Sequence, residues 1–220
     1  MNIIDRLLQN RRYWILFFSL LALIVLPAFM GTLYYANILF RITFSLVFFT
    51  SVSAVMTGKR LLLFGFVLAV AAAIIQWTSY LFKDETHLFI TTSILYLAFY
   101  IYIIHRLFLV IIRSQKVDID VIVISVSIYL IAGIIFAIIC SALDKIYTGA
   151  YTEMAVTGPR VYEFVYYSFI TMATVGYGDI VPKIPETKAL AVLIGINGQL
   201  YMTIIVAILV GKYLQHSSER

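Results

Sequence analysis

Apolar residues occur along the chain in six long runs, which short polar segments separate. A helix needs roughly 20 consecutive apolar residues to cross the hydrocarbon core of a bilayer. The first run follows Arg6, Arg11 and Arg12, and we expect it to be retained, because no small-x-small cleavage site ends it. The pattern predicts an all-α membrane protein with six transmembrane helices, at about residues 13–30, 33–57, 61–82, 88–112, 121–142 and 188–213.

The segment between the fifth and sixth runs, about residues 144–186, has a different pattern. It is polar at first, then aromatic, then rich in glycine, and it has too few apolar residues to span a membrane. Pro159 is suited to begin a short helix over about residues 161–173, with Glu163 near the positive N-terminal end. We therefore expect a re-entrant helix here, followed by a glycine-rich loop.

Composition identifies lipid as the main solvent of the chain. Of its residues 63% are hydrophobic and 12% are charged, whereas a soluble domain typically has about a quarter charged residues. The net charge of +5 forms no basic stripe, so we expect no nucleic-acid partner. Cys140 is the single cysteine and lies in an apolar run, which excludes an intrachain disulfide. No catalytic, metal-ligand or phosphate-binding pattern is present, so we expect no enzymatic activity, no catalytic residues and no cofactor.

Lysine and arginine in the short loops predict the orientation of the chain. With the N-terminus inside, nine such residues face the cytoplasm and five face outward. We therefore expect both termini in the cytoplasm, a location in the cell membrane, and segment 144–186 outside. Five basic and seven acidic residues give the outer surface a charge near −2, which modestly raises the local cation concentration. The chain ends shortly after the sixth run, so we expect no cytoplasmic ligand-binding domain.

The glycine-rich loop has the most informative residues of the chain: Thr174, Val175, Gly176, Tyr177, Gly178 and Asp179. A potassium ion must exchange its hydration shell for other oxygen ligands before it passes a narrow pore. Backbone carbonyls supply these ligands if successive peptides point the same way, which needs dihedrals that glycine adopts at no steric cost. One copy of the loop supplies one wall, so we expect three further copies of the chain to complete a homotetramer.

The nine residues from Thr171 to Asp179 resemble the pore signature of the tetrameric potassium-channel superfamily. The specific likeness covers about residues 121–213. The six-span layout is similar to that of voltage-gated-type channels, and the short tail resembles that of small bacterial members. The resemblance implies a channel subunit that conducts K⁺ passively, with a voltage-sensor-like domain at residues 1–116 and a pore domain at residues 117–220.

The resemblance also assigns roles to the loop. It implies that Thr174, Val175, Gly176 and Tyr177 bind K⁺ through their carbonyl oxygens, with Gly178 at the outer mouth of this selectivity filter. Thr174 adds a hydroxyl at the inner end. Val175 and Tyr177 are expected to turn their side chains away from the pore axis.

Asp179 would support the filter from behind, through a hydrogen bond to an aromatic residue of the pore helix. The family often has a tryptophan pair there, and this chain has Tyr166 and Tyr167. Because a tyrosine is shorter than a tryptophan, the rigidity of the outer filter is an open point. Ala173 replaces a frequent threonine, and Ile170 stands where some members have a buried acid; neither change touches the ion ligands.

The sixth run carries two central glycines, Gly195 and Gly198. Small residues allow helices to pack closely, and the resemblance places Gly198 at a gating hinge. Helical spacing places four further residues on one stripe that we assign to the pore wall: Gln199, Met202, Val206 and Val210.

The fourth run lacks the regular arginine array of a voltage sensor. Each elementary charge contributes only about 2.3 kcal/mol per 100 mV, so a sensor helix needs several charges. Arg41, in the second run, has Asp84 and Glu85 as the nearest acids on the next outer loop, and both pairing and snorkelling stay open for it. We expect weak voltage dependence or none, because the fourth run offers only His105, Arg106 and Arg113.

Other classes of protein fit less well. A non-selective cation channel is disfavoured by Tyr177, since related non-selective filters differ at that position. A potassium transporter would have four degenerate filter copies in one long chain, and this chain has one. A subunit that conducts only with different partners stays open, as does the gating stimulus, for which tension, lipid, pH and simple leak all remain candidates.

Overall fold

The computed structural model describes residues 3–29, 33–55, 59–81, 86–114, 118–152 and 160–218, and the elements of regular secondary structure within these ranges are helices, with no strand. A 3-10 turn, Leu26–Phe29, follows the first helix. The predicted boundary between residues 116 and 117 lies outside the described residues. The helices are α1 (Ile3–Val25), α2 (Leu33–Val55), α3 (Lys59–Leu81), α4 (Thr86–Arg113), α5 (Ile119–Ile146), α6 (Arg160–Met172) and α7 (Pro185–Ser218).

Within the described ranges, four stretches are long and apolar enough to cross a membrane: Tyr35–Val55, Thr86–Arg113, Ile119–Ile146 and Pro185–Gly211. They coincide with the predicted second, fourth, fifth and sixth spans. The predicted first and third spans correspond to α1 and α3; in α3 the described apolar stretch is the shorter Gly65–Thr78. The all-helical character is confirmed, and these two further spans stay predictions.

Aromatic rings fill the interior between α2 and α4. The rings of Phe48 and Tyr100 stack with centroids 5.7 Å apart, and Phe44 meets Phe48 edge-on at 5.1 Å. Tyr96 and Phe99 complete the cluster, at 5.3 Å and 5.1 Å from the ring of Phe48. Such pairs combine large apolar area with a preferred geometry. Helices α2 and α4 therefore pack against each other through aromatic rings.

Arg41 is paired with α3 by reciprocal hydrogen bonds. Its Nη1 donates to the carbonyl oxygen of Gln76 at 2.9 Å, and Nε2 of Gln76 donates to the carbonyl oxygen of Arg41 at 3.2 Å. Ser45 also donates to Oε1 of Gln76, at 3.2 Å. Asp84 and Glu85, which the sequence offered as partners, lie outside the described residues. The guanidinium is thus attached to the neighbouring helix α3.

Helix α6 is held by α5 on one side and by α1 on the other. Ser168 donates from its Oγ to the carbonyl oxygen of Gly133 at 2.8 Å, and the ring of Phe169 occupies the space where a Cβ of Gly133 would lie. Tyr162 donates to the carbonyl oxygen of Ile24 in α1 at 3.0 Å. The short helix predicted at 161–173 is therefore observed one residue earlier; Pro159, predicted to begin it, lies outside the described residues.

The C-terminal end of α6 rests on α7 at Gly198. A Cβ added there would overlap the backbone of Met172, the last residue of α6, whereas one added at Gly195 meets no atom within 4 Å. Tyr201 ties the same stretch of α7 to α5, since its hydroxyl donates to the carbonyl oxygen of Ser125 at 2.5 Å. The direct backbone contact at Gly198 fixes where the chain leaves α6.

We predict that Gly198→Ala destabilises the protein, because the methyl group must displace backbone atoms of α6. Overpacking of this kind typically costs about 1–3 kcal/mol. Gly195→Ala, three residues earlier on the same helix, is the matched control. Thermal unfolding in detergent should show a lower midpoint for the first variant only. Equal midpoints for the two variants would contradict the contact.

Candidate functional site

The backbone amides after α6 turn back toward the end of that helix. Val175 donates its N–H to the carbonyl oxygen of Ile170 at 2.9 Å, and Gly176 donates to the same oxygen at 3.2 Å. The N–H of Thr174 donates to the carbonyl oxygen of Thr171 at 3.0 Å. These bonds satisfy carbonyl groups that the end of a helix leaves without intrahelical partners. One face of the loop is thereby attached to α6.

Left-handed dihedrals recur at every second residue of the loop. The φ angles are 59° at Thr174, 51° at Gly176 and 81° at Gly178, whereas Val175 and Tyr177 have no positive φ. Alternation of left-handed residues with residues of negative φ favours successive peptide groups that turn to the same side; a strand, by contrast, alternates its sides. The geometry therefore favours a row of carbonyl oxygens facing away from the amides that bond to α6.

Thr174 is the one non-glycine residue with a positive φ in the described ranges. A side chain in this region costs roughly 1–2 kcal/mol, so the surrounding contacts must hold the residue there. Its N–H bonds to Thr171, and its Oγ1 donates to the carbonyl oxygen of Ala173 at 2.7 Å. A strained residue that its neighbours hold in place is typical of functional loops.

The loop is exposed in the single subunit. Tyr177 is 73% exposed and Val175 is 51% exposed in the single subunit, and residues 173–179 are all exposed. Within one chain, therefore, the side chains of Val175 and Tyr177 do not pack against a protein wall.

Asp179 is bonded through both carboxylate oxygens. The hydroxyl of Tyr166 donates to Oδ2 at 2.7 Å, and the N–H of Ile180 donates to Oδ1 at 3.0 Å. The bond from Tyr166 is the main cause that lowers the pKa of Asp179 below its ordinary 3.8. Tyr167 points elsewhere: it is buried and packs against the ring of Tyr151 at 5.6 Å. The structure thus brings Tyr166 to Asp179 and leaves Tyr167 in the core.

The sixth-run residues divide between two faces of α7. Gly198 is buried against α6, whereas the stripe assigned to the pore wall is exposed in the single subunit, at 52% for Met202, 51% for Val206 and 50% for Val210. Gln199 is exposed as well, and its carbonyl oxygen accepts a hydrogen bond from Thr203 at 2.8 Å. The subunit leaves this stripe free to face other molecules.

Comparison with known families gives one match to this region. A family model described as ion channel matches residues 123–215, which take in nearly all of α5, the whole of α6, the glycine-rich loop and most of α7. Comparison with the curated proteins and with the solved structures gives no match. The match therefore covers the elements that build the site, and α1 to α4 lie outside it.

We predict that Tyr166→Phe raises the pKa of Asp179 toward 3.8, because the variant removes the donor that stabilises the ionised carboxylate. The carboxyl ¹³C shift of labelled Asp179 measures this pKa. Tyr167→Phe is the control and should leave it unchanged. Since the folded pKa is lowered, the stabilisation from this bond is complete above 3.8 and is lost as pH falls through the folded value. If Asp179 has the same pKa in Tyr166→Phe and in Tyr167→Phe, the hydrogen bond from Tyr166 is not what lowers it.

Proposed function

We propose that the chain is a potassium-selective channel subunit that conducts K⁺ passively as a homotetramer, because residues 123–215 match a family model described as ion channel. It is a membrane protein, and four helices in the described ranges are long and apolar enough to cross a bilayer. The observation that carries the proposal is the positive φ at Thr174, Gly176 and Gly178. That alternation favours a continuous row of carbonyl oxygens, which is the ligand set a dehydrated K⁺ requires.

The ion sites are formed by the carbonyl oxygens of Thr174, Val175, Gly176 and Tyr177, with Gly178 at the outer mouth. The supporting observation is the set of amide bonds from residues 174–176 back to α6, because amides held on one side leave the other side to oxygens. The C-terminal end of α6 carries partial negative charge and favours a cation below the row. Asp179 and Tyr166 fix the outer end.

The loop and α7 are uncovered in the single subunit, and a tetramer would cover both. Exposed backbone carbonyls cannot face lipid, because each unsatisfied polar group costs several kcal/mol there. Helix α7 is also poorly covered: 17% of its apolar window is buried, against 61% for α5. Three further copies around one axis complete the ion ligands and cover α7, with Gly198 at the gating hinge of the inner helix. The residues that line the pore below the filter are Gln199, Met202, Val206 and Val210.

In this proposal α1 to α4, within residues 1–116, form a voltage-sensor-like domain without an arginine array, and residues 117–220 form the pore domain. The six helices α1 to α5 and α7 span the cell membrane, both termini lie in the cytoplasm, and α6 is the re-entrant pore helix. The aromatic core of α2 and α4 supports the assignment of a sensor-like bundle that has lost its charge pathway.

Reversal potentials of the purified protein in planar bilayers test the proposed function. We predict that they follow the potassium gradient and not the sodium gradient, with rubidium permeant. Gly178→Ala should abolish the current, because φ at this position is 81° and a Cβ is strained there. Comparable permeability for K⁺ and Na⁺ in the wild type would rule out a selective filter.

Native mass spectrometry in detergent tests the assembly. We predict a homotetramer of the 25.0 kDa chain, because one loop contributes about a quarter of the oxygen ligands around an ion. Crosslinking in liposomes provides an independent measurement in lipid. A dimer as the largest conducting species would contradict the proposal.

Voltage should have little effect on the channel. Arg106 on α4 is half-buried, and Arg41 is bonded to α3 through Gln76. One charge crossing half the field at 100 mV contributes only about 1 kcal/mol, which changes an open-to-closed ratio by less than about tenfold. Conductance should be nearly ohmic, and Arg106→Gln should change it little. A steep activation curve that corresponds to several gating charges would show that charge moves elsewhere.

A further inference from the structure

A short segment after α5 runs alongside the outer end of the loop. We call this segment, residues 150–152, the strap. It pairs antiparallel with residues 181–183, with a bridge between Tyr151 and Pro182. The N–H of Lys183 donates to the carbonyl oxygen of Ala150 at 2.9 Å, and the N–H of Thr152 donates to the carbonyl oxygen of Val181 at 3.0 Å. The chain that leaves the loop is thus attached to the chain that leaves α5.

Thr152 extends this pairing to the loop itself. Its Oγ1 donates to the carbonyl oxygen of Asp179 at 3.1 Å and accepts a hydrogen bond from the N–H of Val181 at 3.0 Å. The hydroxyl therefore uses both its donor and its acceptor on the peptides that flank Ile180. A hydroxyl is the smallest side-chain group that can do both at once.

The strap has a rigid base. The ring of Tyr151 is buried against α6, with its centroid 4.9 Å from that of Phe164 and 5.6 Å from that of Tyr167. Ala150 is buried, and its carbonyl oxygen accepts a hydrogen bond from Thr187 of α7 at 3.1 Å. A bond from Thr152 to the loop is therefore a bond to a packed part of the protein.

Asp179 is consequently held from two independent sides. Tyr166 of α6 binds its carboxylate, and Thr152 of the strap binds its main-chain carbonyl. Two attachments at different atoms of one residue fix the direction of its peptide group, which one attachment alone leaves free to rotate. Gly178, directly before it, has a φ of 81° and lies in the exposed part of the loop, so the two attachments at Asp179 adjoin a left-handed position.

We propose that Thr152 is a positioning residue for the selectivity filter: by holding the carbonyl of Asp179, it keeps the carbonyl groups of Tyr177 and Gly178 turned toward the ion. This role rests on the proposed function of the loop. When the hydroxyl is lost, the outer peptides rotate more easily, K⁺ loses ligands at the outer site, and the filter becomes less selective and less durable during conduction.

The direct test replaces the hydroxyl while it keeps the shape of the side chain. Thr152→Val removes both bonds, and Thr152→Ser keeps them. Thr91→Val is the matched control, because the hydroxyl of Thr91 bonds only within the exposed turn of α4, to the carbonyl oxygen of His87 at 2.8 Å. In planar bilayers we expect Thr152→Val to lower the K⁺/Na⁺ permeability ratio and to speed the decline of current in low external potassium, each by about fivefold to tenfold. Thr152→Ser and Thr91→Val should match the wild type.

A double-mutant cycle distinguishes positioning from general destabilisation. Thr152 and Tyr166 act on the same residue, so Thr152→Val and Tyr166→Phe should be non-additive in their effects on the permeability ratio. Thr91→Val combined with Tyr166→Phe should be additive. If Thr152→Val leaves the ratio and the decline unchanged in a wild type that selects potassium, the role of Thr152 is refuted and the proposed function stands.

Hydrogen exchange tests the bond without any current. In the wild-type tetramer and in Thr152→Ser, the amide of Val181 should be protected although its segment is exposed, and Thr152→Val should lose that protection. This measurement also serves if Thr152→Val does not assemble, because rapid exchange of the Val181 amide in the wild type would by itself overturn the proposal. A wild type without potassium selectivity would overturn both the role of Thr152 and the function on which it rests.

Discussion

A cation that leaves water needs several oxygen ligands at once, and a single chain can offer them in a row only if its peptide groups all turn the same way. In the proposed function, the left-handed conformation at Thr174, Gly176 and Gly178, with φ between 51° and 81°, serves this requirement. Two of these positions are glycines, at which the conformation carries no steric penalty. The third is a threonine, which hydrogen bonds at its own amide and hydroxyl keep in place. The rest of the structure maintains this conformation.

Support reaches the loop from both of its ends. Where the loop begins, α7 contacts the last residue of α6 at Gly198, and the loop amides bond back to that helix. Where the loop ends, Tyr166 and Thr152 bind Asp179 through different atoms. Helix α6 is itself bonded to α5 through Ser168 and to α1 through Tyr162. Helix α1 is thus connected to the loop through α6.

Local pattern was enough to predict the helical class, the position of α6 within one residue, and the loop whose glycines take the left-handed conformation. Contacts between distant residues were not predictable in this way. Sequence left Tyr166 and Tyr167 equivalent, but helix geometry turns one toward Asp179 and the other into the core. Sequence offered both Gly195 and Gly198 as sites of close helix packing, yet only Gly198 meets the backbone of α6. The bond from Arg41 to Gln76 and the role of the strap depend on tertiary neighbours that no spacing rule reveals.

The central claim is that the carbonyl oxygens of residues 174–177 surround K⁺ on a common axis. Anomalous diffraction from the protein crystallised with rubidium or thallium in place of potassium tests it most directly, because both scatter strongly and both replace K⁺ in size and charge. The account predicts a row of anomalous peaks on a fourfold axis, with oxygen atoms from four subunits around each peak. Peaks away from residues 174–177, or an assembly in which these carbonyls do not face a shared axis, would contradict it.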